Sequence, residues 1–175
     1  DGYHGEYVAE LAQAFLQVHG SAFLKKPFAE CAGVFGDFGK DAMLADIRTD
    51  LEAFGVRFDV WFSERTLLAD GSVQRSITEL KEREHAYEQD GALWLRSTAF
   101  GDDKDRVIVK KDGDYTYLAT DIAYHRNKLG RGFTQLVNVW GADHHGYIPR
   151  VRAVIQAFGH RADALHVLLV QLVAI

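Results

Sequence analysis

The residues best suited to chemistry lie in three short stretches, each an apolar run broken by a carboxylate. One is Asn138-Val139-Trp140-Gly141-Ala142-Asp143-His144-His145-Gly146-Tyr147. It begins as a buried strand and breaks at Gly141, where a helix has to start. Open parallel sheets bind ligands beyond the carboxyl ends of their strands. At such a tip Gly141 lets the backbone approach a ligand, and Asp143 can accept hydrogen bonds from two adjacent ribose hydroxyls. The helix N-terminus behind them favours anionic groups. The plainer alternative makes Asp143 an N-cap and the histidines polar surface.

A second stretch runs from Tyr115 to His125. Tyr117 and Asp121 are four apart and share a face if the helix begins early enough. Phenol and carboxylate together can take an ammonium or a guanidinium. Alternatively, Asp121 sits in a first helical turn, favoured by the macrodipole, with Tyr117 as packing. The third stretch is Phe58-Asp59-Val60-Trp61-Phe62-Ser63-Glu64. Glu64, just past an apolar strand, is a fitting bidentate partner for a planar guanidinium. The alternative is an N-cap pair, Ser63 and Glu64, opening the next turn.

The elements that must position these groups follow from hydrophobic spacing. Val8, Leu11, Phe15 and Leu16 mark a helix that Gly20 ends, and Leu44, Ile47, Leu51 and Phe54 mark another over 41–54. Gly55 is placed to cap the second in a left-handed conformation. Residues 58–62 read as a strand, and Ser72 as the cap of a helix carrying Val73, Ile77 and Leu80. Short strands are expected at 92–95 and 107–109, with Asp90-Gly91 and Asp112-Gly113 as turns. The last third reads as helix 120–129, strand 136–140, helix 146–158 and strand 165–173, a βαβ pattern of a parallel sheet. The fold class is therefore α/β, with a small β-rich insert.

Composition narrows the class without naming a reaction. The 175 residues are 47% hydrophobic, enough for a substantial core, and no run is long enough to span a membrane. The single cysteine, Cys31, excludes an internal disulfide framework and reads as a buried packing residue, so the cytoplasm is the expected location. With 20 basic and 25 acidic residues the net charge is −5, so no nucleic acid is gripped by charge alone. The chain opens without a leader or an initiator Met, and its natural N-terminus is expected upstream.

Several pieces, in order, resemble bacterial-type arginyl-tRNA synthetase, a class I aminoacyl-tRNA synthetase. They are FDVWFSE (58–64), DGALWLRST (90–98), FGDDKDRV (100–107), DIAYHR (121–126), NVWGADHHGYIPR (138–150) and LLVQLV (168–173). The resemblance reaches back to Gly5-Glu6-Tyr7-Val8. It implies part of a Rossmann-type catalytic domain: a helical segment over 1–55, an α+β connective insertion over 56–112, and the second half of the nucleotide-binding sheet over 113–175. It also implies ATP-dependent activation of L-arginine, with Mg2+, followed by transfer to tRNA(Arg). In that likeness Glu64, Tyr117, Asp121 and His144 serve the arginine pocket. Gly141, Asp143 and His144 serve the adenylate, and Gln171, Leu172 and Val173 border the adenine.

The resemblance departs from the family at two points. No sequence like His-Ile-Gly-His or Lys-Met-Ser-Lys-Ser occurs, and those elements stabilise the ATP phosphates. The expectation is an internal fragment, inactive alone and binding no cofactor tightly, of an enzyme that is monomeric when whole. Two rival readings stand beside it. Asp143-His144-His145 looks like the signature of one metal-dependent phosphoesterase family, although no acidic strand end precedes it. A non-catalytic interaction module would suit the missing motifs.

Overall fold

A computed structural model describes residues 4–171 and 173 and divides the chain into two compact units, Asp1–Trp61 and Phe62–Ile175. The first holds α1 (Glu6–His19) and α2 (Phe28–Ala53). The apolar stripe of α1 delivers Phe15 into an aromatic cluster, its ring 4.6 Å from Phe35, 5.2 Å from Phe38 and 5.3 Å from Phe23. Cys31 is buried as expected. Helix α2 starts well before residue 41. Gly33, Gly36 and Gly39 suggest a break at roughly 1 kcal/mol each, but Phe35 and Phe38 on the same segment pack against Phe15 and carry the helix through.

The strand expected over 58–62 does not form: the segment is irregular, with no ladder partner among the described residues. Its aromatics pair locally instead, Phe58 edge-on to Trp61 at 5.3 Å and Arg48 over the Trp61 ring at 4.6 Å. β propensity measures fit to a pleated neighbour, and without one it decides little.

The second unit begins with α3 (Arg65–Ala69) and α4 (Ser72–Glu82). Ser72 is not the cap. It is the first helical residue, and Asp70 Oδ1 accepts its N–H at 2.8 Å. Val73, Ile77 and Leu80 are buried as their spacing requires. Strands β1 (Ala86–Gln89), β2 (Ala92–Leu95) and β3 (Arg106–Val109) form an antiparallel sheet in that order. The Asp90-Gly91 turn takes positive φ at both residues, 53° and 78°. Between β2 and β3, buried Asp102 accepts from Arg106 Nε at 2.8 Å and Nη2 at 2.9 Å. Bidentate pairing satisfies a carboxylate that solvent does not reach.

The remainder is α5 (Tyr117–Gly130), β4 (Leu136–Gly141), a 3₁₀ segment (Ala142–Tyr147), α6 (Ile148–Ala157) and β5 (Leu165–Val170). Helix α6 begins at Ile148, not 146, because the 3₁₀ turn intervenes, and β5 ends at Val170, not 173. Strands β4 and β5 pair in parallel from Leu136–Leu165 to Gly141–Val170. Leu136 and Leu165 pack with Leu129 of α5 and with Val151 and Ile155 of α6. A larger core joins Leu67, Leu80, Leu95 and Ile108 to Ile122 and Val154. Each such side chain contributes about 1.5–3 kcal/mol by leaving water.

The end of α2 yields a stability test. Gly55 has φ 84°, the Val56 N–H reaches Leu51 O at 2.8 Å, and the Gly55 N–H reaches Glu52 O at 3.0 Å. Both bonds of a Schellman cap are present. A Cβ at Gly55 would meet no atom within 4 Å, so the cost of a side chain is conformational alone. Gly55→Ala is expected to destabilise the fold by about 1 kcal/mol, measured by urea denaturation with an unchanged slope.

Candidate functional site

The tip of β4 and the start of α5 bring together groups that the sequence holds far apart. Glu64 immediately precedes α3, is exposed, and makes no capping bond with its side chain. Glu64 thus occupies the N-cap position of the alternative reading, but its carboxylate makes no capping bond. Thr66 satisfies the turn instead, its hydroxyl donating to Ser63 O at 2.6 Å. The Glu64 carboxylate is left to act on its surroundings, and it acts on Asp121.

Asp121 lies one turn into α5, half-buried. Burial pushes its carboxyl up to about 6, and the Glu64 charge adds to the rise. Lys128, the Tyr147 hydroxyl and His144 pull in the opposite direction. These four groups come from three stretches of chain: Glu64 from the segment before α3, Lys128 from the far end of α5, and His144 and Tyr147 from the 3₁₀ turn after β4. Tyr117 is the first residue of α5, so it shares a helical face with Asp121, but 90% of it is exposed. Its role as core packing is excluded by that exposure.

At the β4 tip, Gly141 ends the strand in an extended conformation. A Cβ there would meet Asp143 Oδ1, so glycine lets that carboxylate fold back against the strand tip, and no unusual φ is involved. Asp143 is not an N-cap either: the helix cap position belongs to Tyr147, and no side chain bonds there. The Asp143 carboxylate is exposed and stands 3.5 Å from His144 Nε2. His144 in turn lies with its ring 6.5 Å from Trp140, and Tyr147 packs at 6.4 Å on the same indole. Arg150 covers the Tyr147 ring at 4.7 Å. Burial and the Asp121 charge raise the Tyr147 phenol above its ordinary value.

Behind Asp121 runs a buried polar chain. The His125 ring bonds the Asp121 carbonyl through Nδ1 at 2.8 Å and Asn138 Nδ2 through Nε2 at 3.0 Å. Lys128 Nζ donates to Asn138 Oδ1 at 3.1 Å. These contacts assign His125 as neutral with its proton on Nδ1, and burial pushes its pKa down to about 4.

Glu64 and His144 thus both act through their charge on Asp121, and Asp143 stands beside His144. Gln171 and Val173 are exposed beyond the end of β5, while Leu172 lies outside the described residues. Sequence reasoning missed Tyr147, Lys128, Asn138 and His125 as parts of this site. The spacing from Asp121 to His125 and on to Lys128 along one helix was the available signal. Among the described residues no three His, Cys, Asp or Glu side chains are grouped to hold a metal ion.

Asp121 gives a test whose sign follows from linkage. The folded protein holds this proton to a higher pH than the unfolded chain does, so stability falls as pH rises from about 4 to about 6. Above that window the penalty is complete. Asp121→Asn is expected to raise stability at pH 8 by on the order of 1 kcal/mol, discounted for partial exposure. The gain should vanish near pH 3, below the ordinary carboxyl value; thermal denaturation at both pH values measures it.

Comparison with known proteins gives a consistent result. The family described as tRNA synthetases class I (R), catalytic domain, matches residues 37–172. Arginine–tRNA ligase of Bacillus licheniformis is 52% identical over 173 residues, and that of Bacillus subtilis 50%. Each alignment covers 99% of this chain but 31% of the relative, so the chain spans about a third of their length. A Campylobacter jejuni structure assigned as an arginyl-tRNA synthetase superposes with a TM-score of 0.90 at 40% identity, over 98% of this chain and 37% of that one. The Thermus thermophilus arginyl-tRNA synthetase, at 18% identity and a TM-score of 0.60 over 91% of this chain and 35% of that one, shares the fold.

Proposed function

The chain belongs to the family of class I synthetase catalytic domains for arginine, and from that premise we propose that it carries the arginine-reading part of an arginine–tRNA ligase. This reading is carried by the half-buried Asp121, whose carboxyl the Glu64 charge helps to raise, so that a guanidinium between the two would relieve their repulsion. A planar cation with five donors can bond both. Tyr117, on the same helical face, would close over the ligand, and His144 would face its backbone end. Gly141 and Asp143 would hold the ribose of the adenylate, with Gln171, Leu172 and Val173 along its adenine.

In the reaction so proposed, an arginine carboxylate oxygen attacks the α-phosphorus of ATP, and the bond to pyrophosphate breaks. A hydroxyl of the terminal tRNA ribose then takes the arginyl group, and AMP leaves. On this reading the chain binds and orients; its sequence holds no element recognisable as those that grip the ATP phosphates, and no set of Mg2+ ligands is grouped among the described residues. By itself it is inactive. The proposed division is a helical segment over 1–55, an insertion over 56–112 and the second half of the nucleotide-binding domain over 113–175. The parent would act as a monomer in the cytoplasm; no helix among the described residues is long and apolar enough to cross a membrane.

Two substitutions in the full-length protein test the assignment. Glu64→Gln keeps the shape and removes the charge, so arginine binding should weaken by about 2–4 kcal/mol, the range for breaking a desolvated charged pair. ATP–pyrophosphate exchange at varied arginine concentration reads this, and an unchanged arginine KM overturns the guanidinium role. Asp143→Ala should impair adenylate formation more than arginine binding. Equal loss of both contradicts a ribose contact.

A further inference from the structure

A pocket of two carboxylates has a charge of −2, yet its proposed ligand brings a single positive charge at the guanidinium. The structure contains a second cation nearby. Lys128 is half-buried two turns beyond Asp121 on α5. Nζ donates to Asn138 Oδ1 at 3.1 Å and lies 4.3 Å from the centre of the Tyr124 ring. Asn138 cannot swing away, because its other amide atom is held at 3.0 Å by buried His125. His125 is anchored in turn to the Asp121 carbonyl at 2.8 Å. The carboxylate that Lys128 senses is Asp121.

We propose that Lys128, locked in place by Asn138 and His125, is the built-in counter-ion of the Glu64–Asp121 pair and sets the pocket to accept one singly charged side chain. This inference rests on the guanidinium reading of that pair. Lys128 touches no reacting atom, so it is a positioning residue that acts through Asp121. Its consequence is twofold. Near neutrality it keeps Asp121 ionised against the repulsion of Glu64. It also lowers the total negative charge available to any cation that enters. The other groups facing Asp121 are His144 and Tyr147 from the turn after β4, and Lys128 itself is faced by Arg131. None of these is locked by the same chain of hydrogen bonds.

The two effects have opposite signs on ligand affinity and dominate at different pH. The test is the arginine KM of the full-length synthetase and of its Lys128→Met variant, measured by ATP–pyrophosphate exchange from pH 5.5 to 8.5. Across a helical separation of roughly 10 Å, partly screened, loss of the ammonium should move the acid limb up by about half to one pH unit. The variant's KM should then be about threefold above wild type at pH 6 and equal to it or lower at pH 8.5. Lys128→Arg should restore the wild-type profile. A variant-to-wild-type ratio that stays constant with pH would mark a purely structural residue and overturn the inference. Glu64→Gln, run in parallel, separates the two failures: if it leaves the arginine KM unchanged the pocket reading itself fails, whereas a weakened Glu64→Gln beside a flat Lys128→Met ratio refutes the counter-ion alone.

Discussion

Two like charges brought together in partial shelter from water are unfavourable, and the second unit is organised around that constraint. Asp121, the fifth residue of α5, could have faced solvent at no cost. Instead Leu118, Ala119, Ile122 and Ala123 on the same turns are buried, and their packing holds Asp121 half-buried. The larger core, in which Ile122 meets Leu67, Leu80 and Ile108, therefore supplies the free energy that holds the pair. Stability is diverted to a strained electrostatic arrangement, as is common where a ligand of opposite charge completes the site.

The polar chain from Lys128 to the Asp121 carbonyl gives that arrangement a fixed geometry. Apolar packing alone would allow α5 to slide along β4 by fractions of a turn. A neutral histidine bonded on both nitrogens, together with an asparagine whose oxygen and nitrogen are both engaged, admits one register. Asn138 lies three residues before Gly141 on the same strand, so the register of α5 also sets the position of the Gly141-Ala142-Asp143-His144 turn. The half of the site proposed to read a cation and the half proposed to hold a nucleoside sugar are thereby built on one frame.

What was legible in the sequence was whatever local spacing determines. The stripe of Val73, Ile77 and Leu80, the left-handed Gly55, the Asp90-Gly91 turn and the parallel pair of β4 and β5 all follow from side-chain periodicity or from backbone conformations that few residues allow. The failures share a different cause. Residues 58–62 have strand composition but no partner to pair with among the described residues, and the cap position of α4 falls on Gly71, with the Asp70 carboxylate accepting the Ser72 N–H. At the site, the carboxylates could be singled out one by one from their place at strand ends. Their convergence could not, nor could the role of Lys128, because neither leaves a trace in local pattern; resemblance to a family carried the grouping.

The β4 strand shows how much of a sequence can be written for contacts outside the segment at hand. Leu136 and Asn138 point into the core and are buried, while Val137 and Val139 on the opposite face are 61% and 65% exposed. On β5 the partners of that second face include Leu168 and Val170, also more than half exposed. A sheet with one face in water alternates apolar and polar residues, whereas a strand covered on both sides is apolar throughout. Leu-Val-Asn-Val-Trp and Leu-His-Val-Leu-Leu-Val follow the second pattern more nearly than the first. The strands are thus composed for a sheet enclosed between two layers, of which the described residues provide α5 and α6 on one side. That composition agrees with a chain that spans about a third of its relatives' length. It also explains why the site, although built from residues within one compact unit, stands open at the tip of the sheet.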